Sequence, residues 1–292
     1  MIYALLAYLL WGGFAAFFPL LKPAEPLEIL AHRIVWTAFI MLAIILVRGT
    51  IKELRRADRA TWIQVILASF FIAINWLAYV IAVNTGHVAE AALGYFINPL
   101  VNVLLGMVFL GERLRPLQKL SVTIAAAAVL LLALFSGQPP VLGLVLAFSF
   151  GIYGLLKKKI QLSPEASLSA ETLVLFPIAL GYLGYLTLKG TSTFTTEGPG
   201  HAALLISSGI ITAVPLLLFN KAARMIPLST IGMLQYLTPT MQMLWAVVVM
   251  KEDLAAVRWI GFCIIWVSVS VFLTDIWLQR KQQRKTNPPS QA

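Results

Sequence analysis

The sequence predicts an all-α integral membrane protein of ten transmembrane helices, and three observations carry that prediction. Of 292 residues, 60% are hydrophobic and 12% charged, about half the charged share of an ordinary soluble domain. A soluble chain of this length needs a charged surface that these residues do not supply. The chain divides into ten apolar segments of about 20 residues, the length with which a helix crosses a bilayer. Its Lys and Arg residues fall mainly in alternate loops. The lone Cys263 excludes a disulfide scaffold. The net charge of +10 is explained by basic loops beside a lipid bilayer, so no nucleic-acid partner is expected.

The segments lie between clusters of charge, Pro and Gly at residues 2–21, 27–48, 61–83, 88–110, 117–136, 141–157, 168–188, 201–222, 228–250 and 255–277. The first begins at Met1 without a basic leader or a small-residue cleavage site, so it reads as a retained helix. The last is followed by a polar tail, 278–292, with Pro288 and Pro289, which reads as disordered and cytoplasmic. With ten spans, one side receives Arg48 to Arg59, Arg113, Arg115, Lys119, Lys157, Lys158, Lys159, Lys221, Arg224 and the basic residues of the tail. The other side keeps Lys22, Lys189, Lys251 and Arg258, with Arg33 inside the second span. That asymmetry places both termini in the cytoplasm of a bacterial inner-membrane protein.

The two halves, 1–136 and 141–277, match weakly without gaps. Pro99 falls on Pro239, Glu112 on Glu252 and Leu114 on Leu254. Each half holds five spans, an odd number, so the second is inverted. Inverted repeats mark secondary transporters, whose substrate sites lie near midplane between the repeats.

Polar groups inside a membrane are costly and tend to face cavities or one another. In the second span Glu28 and His32 share a helix face, which Trp36 continues. They are candidates for a gate or for proton coupling. Arg33 beside them is a possible static partner for Glu28. Asn75 and Trp76 in the third span, and Tyr95, Asn98 and Pro99 in the fourth, are candidates to line a cavity. Asn84, His87 and Glu90 read equally as loop or cap residues and as substrate contacts. The second half carries Glu171 as a candidate inner gate, with Gln235, Tyr236 and Pro239 as cavity residues. Pro99 and Pro239 are each expected to interrupt a helix, because Pro lacks an N–H and crowds the preceding turn. Gly181 and Gly184 are expected at a close helix contact. No nucleotide-binding, protease or esterase motif is present, and a chain with only three His and one Cys argues against a closed zinc site. No cofactor, metal or catalytic residue is expected.

The runs from Ile74 to His87 and from Glu90 to Leu100 resemble the RarD branch of the EamA transporter family, within the drug/metabolite transporter superfamily. Ala7 to Gly12, His32-Arg33, Tyr153 to Lys158, Glu171 to Leu173, Phe219 to Arg224 and Leu234 to Thr240 are similar to it as well. The resemblance covers the chain up to its tail. It implies a bacterial inner-membrane permease of two EamA repeats, often labelled chloramphenicol-sensitive, and it implies no catalytic residues. The expected function is secondary-active export of small amphipathic metabolites or drugs. A passive facilitator of the same fold and a receptor or assembly protein without transport stand as alternatives.

Overall fold

The computed structural model describes residues 1–85, 87–135, 140–251 and 253–286, and all regular structure in them is helical. The first membrane segment is α1 (Ile2–Gly12), α2 (Phe14–Phe17) and a 3-10 turn (Phe18–Leu21). It is followed by α3 (Pro26–Arg48), the short basic α4 (Ile51–Arg56), α5 (Arg59–Asn84), α6 (Val88–Leu110) and α7 (Pro116–Leu134). The second half runs α8 (Val141–Lys159), α9 (Pro164–Leu188), the single turn α10 (Thr193–Thr196), α11 (Gly198–Met225), α12 (Leu228–Gln235), α13 (Leu237–Val248) and α14 (Ala256–Thr286). Pro opens α3, α7 and α9 at the first helical position, where its missing N–H has no helical partner to lose. Gly49 and Gly111 close α3 and α6 with φ of 68° and 65°, the left-handed conformation that ends a helix.

Among the described residues nine segments are long and apolar enough to cross a membrane. The tenth expected span is built from two shorter helices, α12 and α13, that meet at Tyr236. The break lies one turn before Pro239, whose ring crowds the carbonyl of Gln235, the last residue of α12. The expected interruption at Pro99 is corrected: α6 runs through it unbroken. Packing of α6 against both α8 and α12 supports the helix across the missing hydrogen bond. The expected loose tail is corrected in part, because α14 continues as helix to Thr286. Glu252 and the loop at Gln138 lie outside the described residues.

Helix contacts form a closed circuit: α1, α11, α3, α9, α5, α8, α6, α12 and back to α1. Every step of it joins one half of the sequence to the other. The halves therefore interleave rather than stand side by side. The contacts also come in equivalent pairs under the match of Pro99 with Pro239. The α1–α11 contact corresponds to α8–α5, α3–α11 to α9–α5, and α6–α8 to α12–α1. Outside the circuit α7 packs on its equivalent α14. There Ser121 Oγ donates to the Ser268 carbonyl and Ser268 Oγ to the Ser121 carbonyl, each at 2.7 Å. The Tyr236 hydroxyl donates to the carbonyl of Phe96, its own counterpart, at 3.2 Å. Lys251, with φ of 57°, repeats the left-handed turn of Gly111.

Small residues let the helices approach. A Cβ on Gly94 would lie 2.7 Å from the Gly143 carbonyl oxygen, and one on Gly143 would lie 2.7 Å from that of Glu90. Gly181 and Gly184 are corrected: both are exposed on α9, and a Cβ added at either would meet nothing within 4 Å. Gly181→Ala and Gly184→Ala should leave thermal unfolding in detergent unchanged or raise it slightly, because Ala favours helix by up to about 1 kcal/mol. Gly94→Ala should lower it, through an overpacking cost of about 1–3 kcal/mol.

Candidate substrate site

Arg33 lies about 10 Å from the start of α3, well inside the span. Its Nε donates to Thr212 Oγ1 on α11 at 2.9 Å. The guanidinium carbon is 5.2 Å from the Trp76 ring centre, 5.3 Å from Phe18 and 5.7 Å from Phe14. The rings of Tyr79 and Tyr95, 6.3 Å apart, lie within electrostatic reach of it. All six side chains are half-buried. Farther along the circuit, Trp11 and Phe150 are also half-buried and stand 5.7 Å apart, edge to face. They rest on the buried Tyr8, Tyr153 and Phe219, which makes an aromatic floor.

Of the residues expected to line a cavity, Trp76 and Tyr95 belong to this half-buried cluster around Arg33, itself expected at a gate. The central amides are engaged elsewhere. Asn75 donates its amide hydrogens to the Leu146 carbonyl at 2.9 Å and to Ser149 Oγ at 3.2 Å, both on α8. Asn98 donates to the Ala147 carbonyl at 2.8 Å. Asn102 donates to Asn98 Oδ1 and to Gln235 Oε1, each at 3.0 Å, linking α6 to α12. Pro99, Pro239 and Tyr236 are buried as well. A buried amide without a partner is costly in an apolar interior, and these amides find partners across the two halves. Asn102 escaped the sequence reading, although its spacing of four from Asn98 puts both on one helix face.

Glu28 is buried, 2% exposed, and holds down the turn α10. Its Oε1 accepts from Ser192 Oγ at 3.1 Å and from the Thr193 N–H at 2.8 Å. The static pair with Arg33 is therefore corrected: Glu28 makes its bonds to the α10 segment, and no carboxylate among the described residues forms an ion pair with Arg33. From α10, Phe194 stacks on the His32 ring at 4.9 Å. His32 Nδ1 accepts from Trp36 Nε1 at 3.2 Å, and its Nε2 has no hydrogen-bond partner. Glu90 caps α8, accepting from the Leu142 N–H at 3.2 Å, with His87 Nε2 3.9 Å from it.

At the opposite end of the bundle Glu171 forms a buried ion pair with Lys157. Lys157 also donates to Ser167 Oγ, and Tyr153 donates to Glu171 Oε2 at 3.1 Å. The solvated basic loop expected for Lys157 is corrected: its side chain is 1% exposed. A carboxylate inside a membrane span needs a partner, and that need is the sequence signal for Lys157. Around the pair, Lys158 donates to the Ile226 carbonyl at 2.7 Å, and Glu112 accepts from the N–H groups of Leu228 at 2.6 Å and Ser229 at 2.9 Å. The Glu112 bonds tie the two halves together at this end.

An EamA-like transporter model matches the chain twice, over residues 1–134 and 139–274. The chain belongs to the EamA-like transporter family. Protein RarD of Streptomyces exfoliatus is 45% identical over 287 residues, which are 97% of this chain and 91% of that one. A transporter named YojE from Bacillus subtilis (strain 168) is 41% identical over 280 residues, 93% of this chain and 92% of its own. A solved crystal structure shares the fold at a TM-score of 0.70 and 20% identity, covering 92% of this chain and 95% of that one. The family, these relatives and the apolar helices make this a multi-pass membrane transporter of the RarD branch.

Proposed function

We propose that the protein is a secondary-active transporter of the inner membrane that exports small amphipathic metabolites or drugs, with cytoplasmic termini and protons as coupling ion. The observation that supports this reading is the cluster of half-buried aromatic side chains around Arg33 inside a span, with the Lys157–Glu171 pair buried at the opposite end of the bundle; in this reading the cluster lines the substrate chamber. Alternating access needs a site closed at one end at a time. The equivalent contacts of the two halves supply a way to exchange which end is closed, with 1–136 and 141–277 as the two units. The basic loops put the Lys157 end in the cytoplasm. No covalent step is part of this reading.

Glu28 is the proposed coupling residue. Ionised, it accepts two hydrogen bonds that pin α10 over His32 and Trp36. A neutral carboxyl holds the same donors more weakly, so protonation loosens this lid. In proteoliposomes, flux of at least one of benzenesulfonate and its neutral counterpart benzenesulfonamide should accelerate when a pH gradient is imposed. Glu28→Gln should keep exchange across equal solutions and lose the acceleration. Wild-type flux indifferent to the gradient replaces this reading with a passive facilitator. Binding without movement of any solute replaces it with a receptor.

A further inference from the structure

Arg33 is a cation inside a membrane-spanning segment with no carboxylate paired to it among the described residues. Such a group is costly unless its charge is answered. Two answers are present, and both are partial. The rings of Trp76, Phe18 and Phe14 offer their faces, and Thr212 takes the Nε hydrogen. A guanidinium has five N–H donors in a planar fork. The bond to Thr212 fixes the direction of that fork and leaves its terminal nitrogens for another acceptor. The nearby acids do not supply one. Glu28 is committed to Ser192 and Thr193, and Glu90 to Leu142.

We propose that the substrate is an amphipathic organic anion, whose carboxylate or sulfonate is taken by the terminal nitrogens of Arg33. Two parallel N–H···O bonds suit such an oxyanion. The apolar body of the ligand lies against Trp76, Tyr79 and Tyr95, whose rings offer flat apolar contact with a polar tip. The anion completes the charge balance that the chain leaves open, and Arg33 is thereby a binding residue that selects charge. Glu28, bound at the rim, keeps a second negative charge away from the fork. This inference rests on the transporter reading for its purpose, but binding tests it independently of transport.

The experiment uses the full chain, purified in detergent. Phenylacetate, phenylacetamide and inorganic phosphate are titrated against tryptophan fluorescence and thermal stability, since a ligand that binds the folded state raises the melting temperature. Phenylacetate should bind at least about tenfold more tightly than its neutral amide, the discrimination expected when a charge-assisted bond is lost. Inorganic phosphate should bind more weakly, lacking the apolar body. Arg33→Gln should bring phenylacetate and phenylacetamide to equal affinity. Should that variant fail to fold, Arg33→Lys, which keeps the charge and loses the fork, should bind phenylacetate more weakly. Equal binding of acid and amide by the wild type overturns the proposal, as does phosphate binding as tightly as phenylacetate. If benzenesulfonamide crosses proteoliposomes as fast as benzenesulfonate, transport stands and anion selection falls. If neither crosses while phenylacetate still discriminates, the site stands and the transporter reading falls.

Discussion

Lys157→Met should lower the stability of the folded chain by about 3–5 kcal/mol, the loss expected when one partner of a buried ion pair is removed. The ammonium is 1% exposed and the Glu171 carboxylate 2% exposed, and the two are paired directly. Without Lys157, Glu171 keeps only the Tyr153 and Ser167 hydroxyls. Two hydroxyl donors do not answer a full charge in an apolar interior. Glu171→Gln should be destabilising for the converse reason, since it strands the ammonium. The double variant Lys157→Met/Glu171→Gln removes both charges, and its melting temperature should lie closer to wild type than that of either single variant. Additive losses in the double variant would mean that the pair does not interact. Thermal unfolding in one detergent, with all four proteins at equal concentration, decides between these outcomes.

Gly232→Leu should have the next largest effect, because the obstacle it meets is backbone. A Cβ at this position on α12 would lie 2.6 Å from the Pro99 carbonyl oxygen and 2.9 Å from Asn102 Cβ on α6. Neither neighbour is the free end of a flexible side chain, so the helices must separate. Overpacking costs about 1–3 kcal/mol. Separation also parts Asn102 from Gln235, and an unsatisfied buried amide costs about 1–3 kcal/mol more. Gly232→Ala should show the same loss at smaller size. An unchanged melting temperature in both variants would mean that α12 and α6 do not approach this closely. The effect is of interest for transport because α6 and α12 are equivalent elements of the two halves that meet face to face.

Polarity inside the spans is legible in the sequence, and its bonding partners are not. Asn75, Asn98 and Gln235 are visible as costly amides in apolar spans. Their hydrogen-bonding groups, however, are used between helices, and the half-buried aromatic side chains stand beside Arg33 instead. Trp76 and Tyr95 are legible as aromatic groups beside the polar positions of their spans, whereas Thr212 does not stand out at all. Arg33 reads as a neighbour of Glu28 because they are close along one helix. Sequence proximity says nothing of the α10 turn, more than 160 residues later, that claims the carboxylate.

Features that depend on local chemistry are legible along the chain. Hydropathy over about 20 residues decides whether a helix suits a bilayer, and all ten apolar segments correspond to helical segments here. The break before Pro239 follows from a ring and a missing N–H within one turn. The family likeness follows from motifs of adjacent residues, and the match to the EamA-like family bears it out over both halves. Packing sets the rest: α6 passes through Pro99, Gly181 faces outward, Lys157 is buried on Glu171, and among the described residues no carboxylate pairs with Arg33. A buried polar group is costly without a partner, and that cost can be read from one helix. Which partner it finds depends on the order in which helices of the two halves alternate around the circuit, and no single segment encodes that order.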